Sequence, residues 1–381
     1  MAGLDARIGG PPLSARNSVI AAARAGIPTT VIYSAPDFAA SGIAEAEAAL
    51  RAEGVEVISF PSRPFFGFGA RWGISIKLMK WLFAHAREFD VIHVHGTWVP
   101  GAVLALVTRV IWRRKAVLTP HEGLTRFDVA QTPRPFTKRG KEILKPLFGS
   151  FFDMFVMSSA LEARESVDER VRSRCVVVYH PVYDDRAIPA RARAQPLGDK
   201  GLRIGFLGRL HPKKNLDLLI RTLPRLSDSI TLAVAGDGPP ELVAAYRKLA
   251  REIAVDDRIR WLGFVEGAGK DEFFRTVDLL AMPSQFECFG MAAAEALVRG
   301  IPVLVSPDTG IAEIVGPRNC GIVCPAAVSE IARAINALAS KREMLAEYSR
   351  NAALAATEAL SFSIHGQVLA RAYADLTAAS S

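Results

Sequence analysis

Short runs of apolar residues, rich in valine and isoleucine, alternate with helix-like segments along the whole chain. In the first half these runs cover residues 29–33, 55–60, 90–96, 115–120, 154–159 and 175–181. In the second half they cover residues 203–208, 230–236, 259–265, 279–284, 301–306 and 321–324. Strands that are apolar on both faces are typical of buried parallel sheets, and helices between them require right-handed crossovers. The alternation therefore predicts an α/β protein with two doubly wound parallel sheets.

The chain length indicates how these sheets are divided. A chain of 381 residues is longer than one hydrophobic core usually holds, so two domains are expected. The predicted join is residues 186–201, a stretch rich in Ala, Arg and Pro with neither a helical nor a strand period. We predict domains over residues 1–195 and 196–360, followed by a final segment over 361–381.

The beginning of the chain is unusual for such a domain. The sequence IGGPP at residues 8–12 is followed by a predicted helix from Ser14 to Arg24, with only seven residues before Ile8. Strand one lies at the middle of a doubly wound sheet, so the N-terminal sheet is predicted to lack a central member, or Met1 is a misplaced start. No G-x-G-x-x-G motif follows a strand elsewhere.

Positive charge is concentrated in the first half. Residues 1–195 hold 26 Lys and Arg against 18 Asp and Glu, whereas residues 196–381 hold 21 of each. This excess favours an anionic partner, such as acidic lipid headgroups. Nucleic acid is not predicted, because no aromatic-interleaved basic strand or helix-turn-helix pattern accompanies the charge.

Two basic segments are candidates for that surface. Residues 65–87 combine apolar and basic side chains at helical spacing: Trp72, Ile76, Met79, Phe83, Lys77, Lys80 and Arg87. This helix either lies in a membrane interface or packs its apolar side on the sheet, and the second arrangement is the commoner one. A second basic cluster serves the same surface or is simply solvated: Arg134, Lys138, Arg139, Lys141 and Lys145.

The remaining general features favour a cytoplasmic protein, with peripheral attachment to the inner face of the plasma membrane as a further option. No secretory leader opens the sequence, and the apolar stretch Val99–Trp112 is too short to span a bilayer. Cysteine spacing supports neither disulfides nor zinc, so reduced thiols are expected at Cys175, Cys288, Cys320 and Cys324.

Two carboxylates lie eight positions apart in the stretch 282–306. Glu287 falls in a predicted loop, and Glu295 falls in the helix that Phe289-Gly290-Met291 opens and Gly300 closes. Gly290 leaves room for a ligand, and the N–H groups of the first helical turn favour an anion. A phosphate between two carboxylates that bind diols describes a nucleotide-sugar, although both glutamates could also be solvated surface charges.

A cationic loop follows the first strand of the second half. The sequence GRLHPKKNLDLLI at 208–220 offers Arg209 as a planar fork and Lys214 as a point charge at a helix start. This arrangement suits a diphosphate, and the alternative is that both cations are merely solvated.

Histidines end two strands of the first half. His93 and His95 share one face of their strand, and a buried histidine is the commoner interpretation of His93. His121 lies beyond a strand end beside Glu122, where parallel sheets bind ligands, so it is the better ligand candidate. We predict no metal site, because the three histidines have neither helical spacing nor a carboxylate partner.

Several motifs in order resemble the retaining glycosyltransferases of the GT-B fold, family 4. In the second half they are GRLHPKKN, VAGDGP, WLGFV, VDLLAMPSQFECFGMAAAEAL and GIPVLVS. In the first half GGPP, DVIHVHGTW and VLTPHEG are similar to the acceptor domain of that family, especially in members that build bacterial exopolysaccharide and lipopolysaccharide. The resemblance implies two Rossmann-like domains facing across a cleft, with residues 361–381 returning to the first domain.

The resemblance also implies roles for individual residues. Arg209 and Lys214 would bind the donor diphosphate, Glu287 the transferred sugar and Glu295 the ribose. The other implied contacts are Phe289, Gly290 and Met291 near the donor, Phe264 and Val265 against the base, Gly9 and Gly10 beside the phosphates, and His121 facing the donor sugar. Three positions depart from the family pattern: Asn215 and Glu122 replace glycine, and Cys288 replaces glycine or serine.

The implied reaction is transfer of a sugar from a UDP-, GDP- or ADP-sugar to an acceptor hydroxyl, with retained configuration. The acceptor would be a lipid-linked or polysaccharide intermediate, and neither a metal nor another cofactor would be needed. Two alternatives are a sugar-nucleotide epimerase of similar fold and an inactive protein that binds membranes or polyanions.

Overall fold

The computed structural model describes residues 10–35, 40–61, 75–97, 100–166, 168–186 and 201–378. The chain divides into two compact units: unit 1 is Met1–Pro181 with Phe362–Ser381, and unit 2 is Val182–Ser361. This division comes before the predicted boundary at 195/196, because the backbone N–H groups of Val182 and Tyr183 both donate to Leu360 O within unit 2. Residues 187–200 of the predicted join lie outside the described residues.

Unit 1 has two separate parallel sheets in its described residues. One pairs β1 (Thr30–Ala35) with β2 (Glu56–Pro61), and the other has the order β3 (Val91–His95), β4 (Lys115–Thr119), β5 (Met154–Met157) and β6 (Cys175–Val177). The helices between these strands are α1 (Gly10–Arg24), α2 (Ala40–Ala52), α3 (Ile76–His85), α4 (Pro100–Trp112), α5 (Arg126–Ala130), α6 (Pro135–Phe151), α7 (Ala160–Glu165) and α8 (Glu169–Arg172). No described strand joins the two sheets, and residues 1–9, on which the prediction of a missing central strand falls, lie outside the described residues.

Unit 2 has one six-stranded parallel sheet with the order β12-β11-β10-β7-β8-β9. Its strands are β7 (Arg203–Leu207), β8 (Thr231–Ala235), β9 (Ile259–Gly263), β10 (Leu279–Met282), β11 (Val303–Val305) and β12 (Gly321–Val323). Its helices are α9 (Leu216–Thr222), α10 (Pro240–Glu252), α11 (Gly267–Thr276), α12 (Met291–Val298), α13 (Ala312–Val315), α14 (Val328–Ser340) and α15 (Arg342–Ala359). All twelve predicted strands are present, and the predicted fold class of two doubly wound α/β domains is confirmed.

The larger sheet of unit 1 is covered on both faces. Residues alternate between faces along a strand, so Leu118 and Val117 of β4 point in opposite directions. Leu118 packs in one core with Ala105 of α4 and Phe148 of α6. Val117 packs in a second core with α1 and with α16 (Phe362–Ala378), the last described helix. Helices α4 and α6 therefore lie on one face, and α1 and α16 lie on the other.

Helix α16 is in close contact with α1. A Cβ at Gly366 would lie 2.2 Å from Ala21 O, so only glycine permits this approach. Ser18 Oγ and His365 Nε2 are 2.7 Å apart, which joins the same two helices by a buried hydrogen bond. None of the described helices has the length and apolarity needed to cross a bilayer.

Candidate active site

The carboxyl ends of β7 and β8 carry two interlocked glycine loops. Gly208 follows β7 with φ +147°, and Gly236 follows β8 with φ +152°. A Cβ at Gly236 would lie 1.9 Å from Gly208 O, so no larger residue fits this position. Strand β7 lies between β10 and β8, at the point where the strand order reverses, and open α/β sheets bind ligands outside such a point.

The loops after β7 and β10 meet in an ion pair. Lys214 Nζ lies 2.5 Å from Glu287 Oε1, and the exposed fractions of these side chains are 18% and 14%. Both residues were predicted to belong to one donor site, and the structure brings them into contact across 73 positions of chain. When a ligand binds at this edge of the sheet, the ammonium of Lys214 can bind its anionic group and the carboxylate of Glu287 can accept hydrogen bonds from its hydroxyls, in place of the ion pair.

Asn215 connects the same two loops. Its Nδ2 donates to Pro283 O at 2.8 Å, and Gln285 N–H donates to Lys213 O at 2.7 Å. Asn215 has φ +53°, in the left-handed region that asparagine tolerates better than most residues. This conformation explains why asparagine can stand at a position where the family has glycine.

Glu287 is held through its backbone as well. Glu287 N–H donates to Asp308 O at 3.1 Å, and Gly310 N–H donates to Glu287 O at 2.9 Å. The side chain of Phe289 is buried, so Phe289 offers a ligand only its backbone. Helix α12 then begins at Met291 after Gly290, whose φ is +110°. The first intrahelical hydrogen bond runs from Ala294 N–H to Gly290 O, so the amides before it face out of the helix end.

Glu295 lies one turn further along α12. The residue is 8% exposed, and its Oε2 lies 2.8 Å from Lys270 Nζ of α11. Lys270 was not among the predicted site residues, because a lysine in a polar helix carries no signal of its own. The pairing leaves the second carboxylate oxygen of Glu295 able to accept hydrogen bonds from a diol.

The loop after β7 concentrates positive charge. Arg209 is exposed and forms no ion pair within the part of the chain that the structure describes. Burial lowers the pKa of His211, and the positive charges of Arg209, Lys213 and Lys214 lower it further. Such a loop can accept an anion without first losing a counter-charge from Arg209.

The other predicted site residues fall in two places. Phe264, which is exposed, and Val265 follow β9 at the carboxyl edge of the unit 2 sheet, next to the loop of Gly236. Gly10 is the first residue of α1 in unit 1, whereas Gly9 lies outside the described residues.

Unit 1 contains a chain of histidines at the carboxyl ends of β3, β4 and β6. The rings of His93 and His95 stack at 4.5 Å, and His95 Nδ1 lies 3.2 Å from His121 Nε2. The ring of His180 stacks on His121 at 5.6 Å. The shared face of His93 and His95 is as predicted. His180 was not among the predicted site residues, because it fell inside the predicted run 175–181, whereas the strand ends at Val177.

The buried environment keeps these rings neutral. Burial lowers the pKa of His93 to about 3 and the pKa of His121 to about 4, and neighbouring histidines add repulsion at His93. His93 uses both ring nitrogens, with Tyr373 Oη at 2.5 Å and Thr119 Oγ1 at 2.8 Å. No group of three potential ligands in the described residues is arranged to hold a metal ion.

A strained turn holds His121 in place. His121 and Glu122 both have positive φ, +48° and +73°, and such values are rare for residues with side chains. Glu162, which is fully buried, accepts hydrogen bonds from Glu122 N–H at 2.9 Å and from Ser158 N–H and Oγ at 2.8 and 2.7 Å. The hydrogen bond from Glu122 N–H to this carboxylate stabilises a positive-φ conformation that glycine would adopt without strain.

We expect Glu162→Gln to destabilise the protein by about 2 kcal/mol, because the amide leaves at least one buried donor unsatisfied. The free energy of urea unfolding, followed by tryptophan fluorescence, measures the change. Glu169→Gln is the matched control, since Glu169 is 79% exposed. Equal stability of the two variants would show that Glu162 does not hold the turn.

Family models match both halves of the chain. The model described as Glycosyltransferase Family 4 matches residues 8–186, and the model described as Glycosyl transferases group 1 matches residues 189–355. Together the two models cover residues 8–355 except for positions 187 and 188. The chain belongs to the family 4 glycosyltransferases.

Relatives of this family 4 chain fit the same assignment. The chain is 30% identical over 263 residues to the D-inositol 3-phosphate glycosyltransferase of Salinispora tropica, a match that covers 62% of this chain and 54% of the relative. It is 28% identical over 330 residues to the enzyme of that name from Xylanimonas cellulosilytica, covering 78% of each. The chain thus spans little more than half the length of the curated relatives matched first.

Solved structures share the GT-B fold of this family. HepE of Anabaena, solved with UDP and glucose, superposes with a TM-score of 0.71 at 21% identity, covering 95% of both chains. WaaG, a glycosyltransferase involved in lipopolysaccharide biosynthesis, superposes with a TM-score of 0.62 at 18% identity, covering 94% of this chain and 95% of WaaG.

Proposed function

We propose that the protein transfers a sugar from a nucleoside-diphosphate-sugar to an acceptor hydroxyl with retention of configuration. The observation that carries this proposal is the contact between Lys214 and Glu287 at the switch point of unit 2. An isolated ion pair at this position would stabilise the protein little, because the desolvation of the two charges offsets much of their attraction. A donor that is anionic at one end and rich in hydroxyls at the other accounts for both charges.

The cations act where charge develops. As the bond between the anomeric carbon and the diphosphate breaks, the electron pair passes to the diphosphate oxygen. Arg209, Lys214 and the amides at the start of α12 can stabilise that oxygen, and in many enzymes fixed charges and dipoles of this kind lower the barrier more than any other effect. These cations also provide the neutralisation for which other enzymes use a metal, so we propose metal-independent transfer.

Retention requires attack on the face that the diphosphate leaves. The acceptor oxygen forms the new bond to the anomeric carbon, and its proton passes to the departing diphosphate, so no charge is left over. We assign Glu287 to the transferred sugar, from which its carboxylate would accept hydrogen bonds, and its contact with Lys214 supports this role. The lowered pKa of His121 in unit 1 makes its ring a neutral hydrogen-bonding group, and the role of His121 towards a donor sugar stays a prediction.

The relatives support a donor class and an acceptor class to test first. HepE is solved with UDP-glucose, which favours a uridine diphosphate hexose as the first donor to test. The involvement of WaaG in lipopolysaccharide biosynthesis and the inositol phosphate relatives support a hydroxyl of a glycan, lipid-linked intermediate or polyol as the acceptor.

A donor screen tests this function. Purified protein is heated with UDP-, GDP- and ADP-sugars, and donors that raise the melting temperature are then assayed for transfer and hydrolysis in EDTA. Release of nucleoside diphosphate supports the proposal. Release of a 2-epimer would identify an epimerase, and absence of binding to every donor would contradict the proposal.

We expect Glu295→Gln to raise the KM for the donor about tenfold or more with a smaller change in kcat, since hydrogen bonds to charged groups contribute about 1.5–3 kcal/mol. A hydrogen bond to the ribose contributes equally to the ground state and the transition state, so losing the bond to Glu295 affects KM more than kcat. Glu252→Gln on α10 is the control, because that carboxylate is exposed and its one ion pair among the described residues is with Lys248 of its own helix. A wild-type KM for Glu295→Gln would exclude it from the donor site.

A further inference from the structure

Exposed apolar side chains are unevenly distributed over the described residues. Ten of the fourteen large exposed ones lie on three helices of unit 1. They are Ile76, Met79 and Phe83 on α3, Val103, Val110 and Ile111 on α4, and Phe136, Ile143, Leu144 and Phe151 on α6. Single exposed apolar residues are ordinary, but a group confined to neighbouring elements indicates an interaction surface.

These three helices are neighbours within unit 1. Helices α4 and α6 cover one face of the β3–β6 sheet, and their buried sides meet in one core. Helix α3 lies beside α4, with the rings of Phe83 and Trp112 at 6.4 Å. On each helix the exposed apolar residues recur at helical spacing, so each helix presents one outward stripe. We call the outward side of α3, α4 and α6 the helix layer.

The helix layer is strongly basic. Residues 76–88, 100–114 and 134–151 hold eleven Lys and Arg but only two acidic residues, Glu88 and Glu142. Four of the cations pair with carboxylates from outside these segments: Arg109 with Asp153, Arg114 with Asp90, and Lys141 and Lys145 with Asp128. Lys77, Lys80, Arg113, Arg134 and Lys138 are exposed and form no ion pair with any described residue.

We infer that the helix layer binds the surface of an anionic lipid bilayer. Apolar side chains between exposed lysines and arginines are the composition of interfacial helices, whose rings and aliphatic groups enter the headgroup boundary while cations meet the phosphates. A second copy of the chain is disfavoured as the occupant, because two such faces would bring like charges together. The helix at 76–85 thus turns its apolar stripe outward, opposite to the arrangement that is commoner for amphipathic helices.

This surface lies on unit 1, whereas Lys214, Glu287 and Glu295 lie on unit 2, so the two proposals can fail separately. The full-length protein is sedimented with vesicles of pure phosphatidylcholine and with vesicles containing about one third phosphatidylglycerol. We expect binding to the anionic vesicles at least about tenfold stronger and weakened by salt, because each surface cation contributes to the attraction.

Substitutions locate the contact. Ile143→Glu on α6 should reduce vesicle binding about tenfold, and Lys77→Glu with Lys80→Glu should reduce it at least as much. Leu354→Glu on α15 of unit 2 is the matched control, since Ile143 and Leu354 are both 58% exposed. Circular dichroism and melting temperature show that each variant is folded, and donor binding should stay at the wild-type level.

Two results would overturn the inference. Equal binding of Ile143→Glu, the lysine variant and wild type to anionic vesicles would exclude the helix layer as the contact. Sedimentation-velocity measurements that show a dimer in wild type and a monomer in Ile143→Glu would assign the layer to contacts between copies of this chain.

Discussion

Replacing Lys214 by Met is expected to reduce kcat for sugar transfer by about 10²–10³, the usual cost of removing one group that stabilises developing charge. Lys214 lies at the end of the loop after β7, in contact with Glu287 and next to the exposed Arg209. Methionine keeps most of the length of the side chain but cannot compensate charge on the leaving diphosphate. The KM for the donor should change less than kcat, because the charge being stabilised grows in the transition state.

The matched control for this experiment is Lys248→Met on α10. Lys248 is 72% exposed, and its one ion pair within the part of the chain that the structure describes is with Glu252 in the next helical turn. Its loss should therefore leave kcat within about twofold of wild type. Initial rates of nucleoside diphosphate release provide the measurement for both variants. If Lys214→Met retained wild-type turnover, the leaving-group assignment would be wrong, even if the donor still bound.

Acidification from pH 7.5 to 5 is expected to destabilise unit 1 steeply. Burial lowers the pKa of His93 to about 3 and the pKa values of His121 and His365 to about 4, whereas an unfolded histidine titrates near 6.5. Because the unfolded chain takes up these protons first, the stabilisation is complete above pH 6.5 and is lost as pH falls towards 4. Each histidine contributes up to about 2 kcal/mol to the loss between pH 6.5 and 5.

Urea unfolding across this pH range measures the effect. Four of the five tryptophans, Trp72, Trp81, Trp98 and Trp112, belong to unit 1, so their fluorescence reports mainly on that unit. His365→Gln removes one buried titrating ring and should lower the slope of unfolding free energy against pH by about one proton. An unfolding free energy that does not change as pH falls below 6.5 would show that these rings are already accessible to protons in the folded state.

Much of the donor site could be predicted from the sequence because its parts follow strand ends. In a parallel sheet, residues after neighbouring strands meet at one edge, so Lys214 and Glu287 could be paired without any coordinates. The length and apolar character of the runs likewise predicted all twelve strands. Lys270 could not be found in this way, because only the packing of α11 against α12 brings its ammonium to Glu295.

The departures from the family pattern have a common structural reason at two positions. Asn215 and Glu122 both adopt positive φ, the backbone conformation that glycine would supply freely. Asn215 is held by its own side-chain bond to Pro283 O, and Glu122 by the carboxylate of Glu162, forty positions away. The sequence shows that glycine is absent at these positions, but it does not show which hydrogen-bond partner stabilises the positive-φ conformation.

The packing of α16 determines an order of events during synthesis. Phe362 of α16 shares a core with β1 and β2, and Leu369 of α16 shares another with β4 and β5, so this helix binds both sheets of unit 1. Its contacts with α1 join residues as far as 347 positions apart, and all of unit 2 lies between them. A ribosome therefore delivers unit 2 entire before it delivers the helix that closes unit 1, and the donor-binding half should mature first on the nascent chain.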